Sequence, residues 1–136
     1  MAWVVDTCVV LDVACDDPQH GKRSAKFLGA RLKDNLVLCP VTLIELAPQF
    51  NADMGELRNF CELSGLSHSE SWSDTDTENA ARVFSYYIEL KRQKHSLRRP
   101  IADILIGAFA MRFQGLITRN PQDFKTYLPK LKILEL

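Results

Sequence analysis

The chain has neither a long apolar run nor an excess of charge of either sign. It contains 136 residues, and its 17 basic and 17 acidic side chains give a formal net charge of zero. Any binding of a polyanion must therefore come from local patches. No apolar stretch approaches the roughly 18 residues of a membrane-spanning helix. Asp6 follows Met1 closely, without the basic segment of a secretion signal, so we expect a cytoplasmic protein with no membrane partner.

The four cysteines lack the spacing of a metal-binding motif. Cys8, Cys15, Cys39 and Cys61 stand apart, with no C-x-x-C pair and no histidine at zinc spacing. We interpret them as core thiols of a protein in a reducing compartment. The sequence has no repeat, low-complexity tract or linker and the length of one ordinary domain, so we predict a single domain over residues 1–136.

Short apolar runs alternate along the chain with segments of helical periodicity. Strands are predicted at residues 3–5, 36–39, 115–118 and 131–136, with a weak strand at 66–68. Helices are predicted at residues 8–13, 22–32, 51–64, 77–94 and 100–111, and from about residue 42. Because the strands are apolar throughout, we predict an α/β fold of three layers, with a central parallel β-sheet between helices.

One carboxylate stands out in the apolar helix predicted at residues 100–111. Pro100 suits the first position of a helix, and the residues after Asp103 are apolar or small, as in a helix with no solvent face. We therefore expect Asp103 to enter the interior, where a charge needs a partner, hydrogen bonds or a metal. Gly107 and Ala110 on the same face leave room for another element or a ligand. The alternative is an acid that the helix dipole favours and that does no chemistry.

Further polar residues follow the predicted strands, where functional groups gather in a parallel sheet. They are Asp6 after the first strand, Glu45 after the second, and Thr118, Asn120 and Asp123 after the strand that follows the central helix. Clustered carboxylates repel one another unless a cation neutralises them, and oxygen ligands favour Mg²⁺ or Mn²⁺. Such an ion activates water and offsets charge on phosphoryl oxygens, so the residues suggest a metal-dependent phosphodiesterase.

Each of these acids has a structural alternative. Asp6 is also consistent with a residue that ends its strand and hydrogen-bonds the next turn. Thr42 and Glu45 have the spacing of a capping box, in which the glutamate returns to the first N–H of a helix. Residues 120–123 read equally well as the start of a short capped helix, which gives Asp123 a structural role.

The long helix predicted at residues 77–94 has signals at both ends. The spacing of Thr75 and Glu78 predicts a capping box at its start. The basic residues that follow it fit a solvated helix end, which the dipole favours. Because they lie just ahead of Asp103, we also predict that Arg98 and Arg99 contact a phosphate backbone.

Four segments of the sequence have a specific order and spacing. They are a hydrophobic strand into Asp6-Thr7 and the stretches at residues 42–46, 100–108 and 116–124. This arrangement resembles the PIN domain, and within it the VapC-like ribonuclease toxins of type II toxin–antitoxin systems. The resemblance extends over essentially the whole chain.

The resemblance implies a fold, an activity and partners. The fold is a parallel sheet with helices on both sides, and the activity is endonucleolytic cleavage of RNA with Mg²⁺ or Mn²⁺. Asp6, Glu45 and Asp103 are implied as the catalytic acids and metal ligands, and Arg98 and Arg99 become candidate contacts to the RNA backbone. The toxins are homodimers that a small antitoxin protein inhibits, so we expect both features here.

The sequence departs from the family pattern at two positions. Asn120 stands where many relatives have a fourth acid, so we add Asp123, the nearest carboxylate, to the predicted catalytic set. Cys8 stands where a small polar residue is common, and we expect it to loosen the surroundings of Asp6. The polar side chains predicted to support the site are Thr7, Thr118 and Asn120.

Two other functions compete with the nuclease. A non-catalytic RNA-binding or protein-interaction module with the PIN fold would bind labelled RNA without metal-dependent cleavage. A phosphatase of another α/β type would need a second aspartate two residues after a nucleophilic one, and Asp6-Thr7-Cys8 does not provide it.

Overall fold

The structure is a computed structural model that describes residues 2–93 and 100–136. The strands are β1 Trp3–Val5, β2 Leu36–Val37, β3 Leu66–Ser67, β4 Gly115–Thr118 and β5 Ile133–Glu135. The α-helices of the described ranges are α1 Thr7–Ala14, α2 Gly21–Gly29, α3 Pro40–Leu46, α4 Met54–Leu63, α5 Asp74–Gln93, α6 Ile101–Ala110 and α7 Gln122–Lys125. None of these helices has the length and apolar character needed to cross a membrane.

The strands form one parallel sheet in the order β3-β2-β1-β4-β5. β1 lies at its centre, with Val4 opposite Val37 of β2 and Val5 opposite Ile117 of β4. A strand in this position has neighbours on both edges and helices on both faces, which explains why all three of its residues are apolar and buried. The predicted parallel sheet is confirmed.

The two faces of the sheet carry separate hydrophobic clusters, because successive side chains of a strand point in opposite directions. Val4 belongs to one cluster, whereas Trp3 and Val5 belong to the other. Helices α5, α6 and α7 contribute to the first cluster, and α1, α2, α3 and α4 contribute to the second. The predicted three-layer α/β sandwich is therefore confirmed.

Helix α6 is less enclosed than its sequence predicts. Ile101 is 43% exposed and Asp103 is half-buried, so the first turn reaches solvent and Asp103 enters the interior only in part. The later turns are buried, and Gly107 is covered by Leu128. A Cβ at Gly107 would lie 2.5 Å from Leu128 Cδ1, so the space there is filled by another part of the chain.

Helices α3 and α5 begin earlier than predicted, so the box predicted at Thr75 and Glu78 is wrong and the alternative of a box at Thr42 and Glu45 is not found. Helix α3 begins at Pro40 because proline is favoured in the first turn, so Thr42 lies inside the helix and cannot cap it. The box of α5 is formed instead by Ser73 and Asp76, each of which accepts the backbone N–H of the other through its side chain.

Asp76 also forms a buried ion pair at this end of α5. Its carboxylate is fully buried and accepts from Arg112 Nε at 3.1 Å and Nη2 at 3.0 Å. Burial raises the pKa of Asp76, but the hydrogen bonds from Arg112 and from Ser73 outweigh that effect, and the pKa lies below its ordinary value. Arg112 follows α6, so the pair fastens the start of α5 to the end of α6.

Tyr87 of α5 provides a test of packing in the first cluster. Its side chain is fully buried, and among the described residues its hydroxyl has no hydrogen-bond partner. Tyr87→Phe removes this unsatisfied group and keeps the edge-to-face contact with the Tyr127 ring, whose centroid is 5.5 Å away. We expect the free energy of unfolding, measured by urea denaturation, to rise by about 1 kcal/mol. Tyr86→Phe, at a 45% exposed neighbour, should change it much less, and a destabilised Tyr87→Phe protein would contradict the prediction.

Candidate active site

Asp6 lies where β1 ends and α1 begins, and its carboxylate is buried, with 6% of the residue exposed. The carboxylate does not cap α1. Oδ2 instead accepts from Thr118 Oγ1 at 2.8 Å and from Cys8 Sγ at 3.2 Å. Both of these side-chain donors bind Oδ2, and within the described part of the chain no side chain donates to Oδ1.

Thr118, the last residue of β4, faces Asp6 because the two strands are neighbours. The Asp6 backbone N–H donates to the Ile117 carbonyl at 2.9 Å, which continues the ladder between β1 and β4. The buried Thr118 hydroxyl donates to Asp6 and accepts the backbone N–H of Asn120 at 3.0 Å. The turn after β4 therefore determines where the proton of this hydroxyl points, and the supporting role of Thr118 in the site stays a prediction.

Cys8 does not loosen the surroundings of Asp6. Its thiol donates to Asp6 Oδ2 and lies 3.9 Å from Thr118 Oγ1. Burial and the negative charge of Asp6 raise the pKa of Cys8 to about 12, so the thiol stays protonated at neutral pH and can act as a donor. The expectation that Cys8 loosens the surroundings of Asp6 is wrong. The thiol takes the place of a small polar group and donates a hydrogen bond to Asp6.

Glu45 approaches the same region from α3. Thr7 Oγ1 donates to Glu45 Oε1 at 2.7 Å and lies 2.9 Å from Thr42 Oγ1. Glu45 therefore contacts the first residue of α1 and does not serve in a capping box. The residue is exposed, whereas Asp6 is buried, so the two carboxylates differ in their access to water.

The charge of Asp6 has no basic partner among the described residues. Burial raises the pKa of Asp6 above its ordinary value of 3.8, and the charge of Glu45 adds to this effect. The hydrogen bonds from Thr118, Cys8 and the Thr7 backbone lower the pKa without cancelling the increase. A cation that reached Oδ1 would relieve this unfavourable burial.

The candidate donor set suits a hard divalent cation. Carboxylate oxygens of Asp6 and Glu45, with hydroxyl groups beside them, are the ligand type of Mg²⁺ and Mn²⁺. Within residues 2–93 and 100–136, no group of three or more histidine, cysteine or acidic side chains is arranged to hold a metal ion. Thr7, the residue after Asp6, contacts Glu45 and so places the two acids in the same region. The participation of Asp103 stays a prediction.

The remaining predicted residues lie on neighbouring elements. Asp103 is in the first turn of α6, which packs against α3, the helix that carries Glu45. Asn120 is exposed in the turn after β4, and the half-buried Asp123 lies in the first turn of α7. The completion of the site by Asn120 or Asp123 stays a prediction. Arg98 and Arg99 lie outside the described residues.

Two residues near the site were missed in the sequence. Arg119 donates to Asp12 through Nε at 2.7 Å and Nη2 at 2.9 Å, and the Asp12 carboxylate also accepts from Ser24 at 2.8 Å. A signal for Asp12 was available, because it is the only charged residue in the apolar stretch 8–15. No comparable signal marks Arg119, whose role depends on the turn that places it against α1.

Comparisons with known proteins agree with this architecture. The family model of the PIN domain matches residues 3–127. A chain in the crystal structure of VapBC2 from Rickettsia felis, bound to a DNA fragment from their promoter, superposes with a TM-score of 0.72 at 18% sequence identity. The alignment covers 99% of this chain and 98% of that one, so the two share a fold along their length. No curated protein sequence matches the chain.

The pKa of Asp6 predicts an unusual pH dependence of stability. Between pH 3.8 and the higher native pKa, the native state binds more protons than the unfolded state, so stability falls as pH rises through this window. In metal-free protein we therefore expect Asp6→Asn to melt at a higher temperature than the wild type at pH 7, with a gap that closes as pH falls toward 4. Scanning calorimetry measures the gap. Asp74→Asn, at an exposed acid, is the control, and a gap that widens toward pH 4 would overturn the prediction.

Proposed function

The chain belongs to the PIN domain family, and we propose that it is a metal-dependent endoribonuclease that hydrolyses phosphodiester bonds of RNA. The observation that carries this proposal is the buried carboxylate of Asp6, which lies beside Glu45 and pairs with none of the described basic side chains. A carboxylate placed in this way is unfavourable in the empty protein and is stabilised when a divalent cation binds. We propose that the whole chain acts as a single domain.

Asp6, Glu45 and Asp103 would hold the ion, with Asp123 or Asn120 as a candidate fourth ligand. When bound, Mg²⁺ or Mn²⁺ supplies Lewis acidity, which makes a nearby water more acidic and offsets charge on the phosphoryl oxygens. One or two carboxylates, with water and substrate phosphate as the other ligands, is a common arrangement for Mg²⁺. The pair of acids that Thr7 links meets this requirement.

The residues around the two acids orient them for this chemistry. Thr118 and Cys8 hold Oδ2 of Asp6, and we propose that Oδ1 is the atom that binds the metal ion. Thr7 holds Oε1 of Glu45, which leaves Oε2 to accept the proton of the attacking water as its oxygen bonds to phosphorus. The bond from phosphorus to the leaving oxygen then breaks, and that oxygen takes a proton from solvent.

We further propose that the protein is the toxin of a toxin–antitoxin pair, that it forms a homodimer, and that an antitoxin protein inhibits it in the cytoplasm. The support is the similarity in fold to a chain of the VapBC2 structure over nearly the full length of both chains. Cleavage of cellular RNA would account for toxicity, and the unpaired state of Cys8, Cys15, Cys39 and Cys61 suits a reducing compartment.

Metal-dependent cleavage of RNA tests the enzymatic proposal. We expect labelled RNA to be cut in Mn²⁺ or Mg²⁺ and to stay intact in EDTA. Asp6→Asn, Glu45→Gln and Asp103→Asn should each lower the rate by about 100-fold or more, because each removes a charge from the site. Asp74→Asn is the matched control, since Asp74 is also an acid in the first turn of a helix. RNA binding without cleavage by the folded wild type would favour a non-catalytic module.

Growth of a bacterial host tests the toxin proposal. We expect induction of the wild-type chain to slow growth, and Asp103→Asn, expressed to the same level, to leave growth unchanged. Colony counts after induction measure the effect, with immunoblots as the control for expression. Equal toxicity of the wild type and Asp103→Asn would show that the growth defect does not come from the proposed site.

A further inference from the structure

Arg119 and Asp12 form an ion pair beside the candidate site. Two parallel hydrogen bonds join the guanidinium to the carboxylate, at 2.7 and 2.9 Å, and Asp12 is only 4% exposed. Ser24 of α2 donates to the same carboxylate at 2.8 Å. A bidentate pair of this kind fixes both distance and orientation, so it joins the turn after β4 to α1 and α2.

The pair connects the same two segments that meet at Asp6. Asp6 directly precedes α1, which contains Asp12, and Thr118 directly precedes Arg119 in the chain. The two segments are therefore joined twice: by the Thr118 hydroxyl on Asp6, and by the Arg119 guanidinium on Asp12. A hydroxyl at 2.8 Å tolerates little movement before its hydrogen bond weakens. The second connection limits that movement.

The pair also controls where a positive charge lies. Asp12 occupies Nε and Nη2 of Arg119, and the interaction keeps the pKa of Asp12 below its ordinary value, against the effect of burial. An Arg119 released from Asp12 would be a free cation one residue from Thr118. The pair therefore fixes the guanidinium against α1 as well as the turn that carries it.

We propose that Asp12 and Arg119 are positioning residues of the candidate active site, which hold the turn at residues 118–120 so that Thr118 orients Asp6 toward a metal ion. This inference rests on the proposed function for its effect on metal binding. Its effect on the turn at residues 118–120 rests on the hydrogen bonds alone and does not depend on what the site binds.

The ion pair of Asp76 and Arg112 provides a matched control. It has the same bidentate form, with hydrogen bonds at 3.1 and 3.0 Å and a fully buried carboxylate. Arg112 precedes β4 whereas Arg119 follows it, so the two pairs lie at opposite ends of that strand. Loss of either pair should reduce stability, but only loss of the Asp12–Arg119 pair should alter the site.

The experiment compares Asp12→Asn and Arg119→Lys with Asp76→Asn and Arg112→Lys in the full-length protein, under conditions where circular dichroism shows each to be folded. Electron paramagnetic resonance of free Mn²⁺ measures metal affinity without RNA. We expect Asp12→Asn to weaken Mn²⁺ binding by about tenfold, with a smaller effect of Arg119→Lys, and both control variants to stay within about twofold of the wild type. Equal effects at the two pairs would overturn the inference.

A double variant tests whether the pair acts through Thr118. If it does, Asp12→Asn should weaken Mn²⁺ binding little further in a protein that already carries Thr118→Val. Losses that multiply in the double variant would show that the pair acts by another route and would overturn the inference.

A metal-free measurement separates this inference from the proposed function. The Asn120 backbone N–H donates to Thr118 Oγ1, so its hydrogen exchange reports on the turn. We expect faster exchange in Asp12→Asn than in Asp76→Asn after correction for global stability. A wild type that neither binds Mn²⁺ nor cuts RNA would contradict the proposed function, whereas unchanged exchange at Asn120 would overturn the positioning role by itself.

Discussion

The burial of the Asp6 carboxylate is the constraint on which the site depends. A buried charge at the end of a central strand has lost most of its hydration, and this cost has to be offset by hydrogen bonds or by a cation. Thr118 and Cys8 supply two hydrogen bonds to one oxygen, and the pKa remains above its ordinary value. The protein therefore fixes the position of Asp6 but does not fully stabilise its negative charge. A bound divalent ion would supply the remaining stabilisation.

Comparison of three buried aspartates separates structural acids from the candidate ligand. Asp12 and Asp76 each accept a bidentate arginine, and in both the pKa lies below its ordinary value. Asp6 is similarly buried but has hydroxyl and thiol donors in place of a cation, and its pKa is raised. Burial alone does not identify a functional acid. The absence of a basic partner among the described residues distinguishes Asp6 from the other two.

The sequence predicts the sheet better than it predicts the helix ends and the contacts of side chains. The apolar strands and their parallel pairing can be predicted from runs of three to six residues. A strand that is covered on both faces is apolar throughout, and such strands are typical of parallel sheets. Proline starts α3 at Pro40, and Ser73 and Asp76 cap α5, whereas the spacing of polar residues alone pointed to later positions in both helices. Glu45 has the spacing of a cap, but Thr7, 38 residues away in the chain, is its partner. No local pattern contains that information.

The order of the strands explains how residues so distant in sequence reach one place. β1 lies between β2 and β4, so the carboxyl ends of three adjacent strands lead into α1, α3 and the turn at residues 118–120. Asp6, Glu45 and Thr118 each come from one of these connections. Exchange of β1 with either neighbour would keep the hydrophobic layers but would separate two of the three segments. The central position of the first strand therefore determines the site as much as the acids themselves do, and the long-range bond from Thr118 to Asp6 is its most direct consequence.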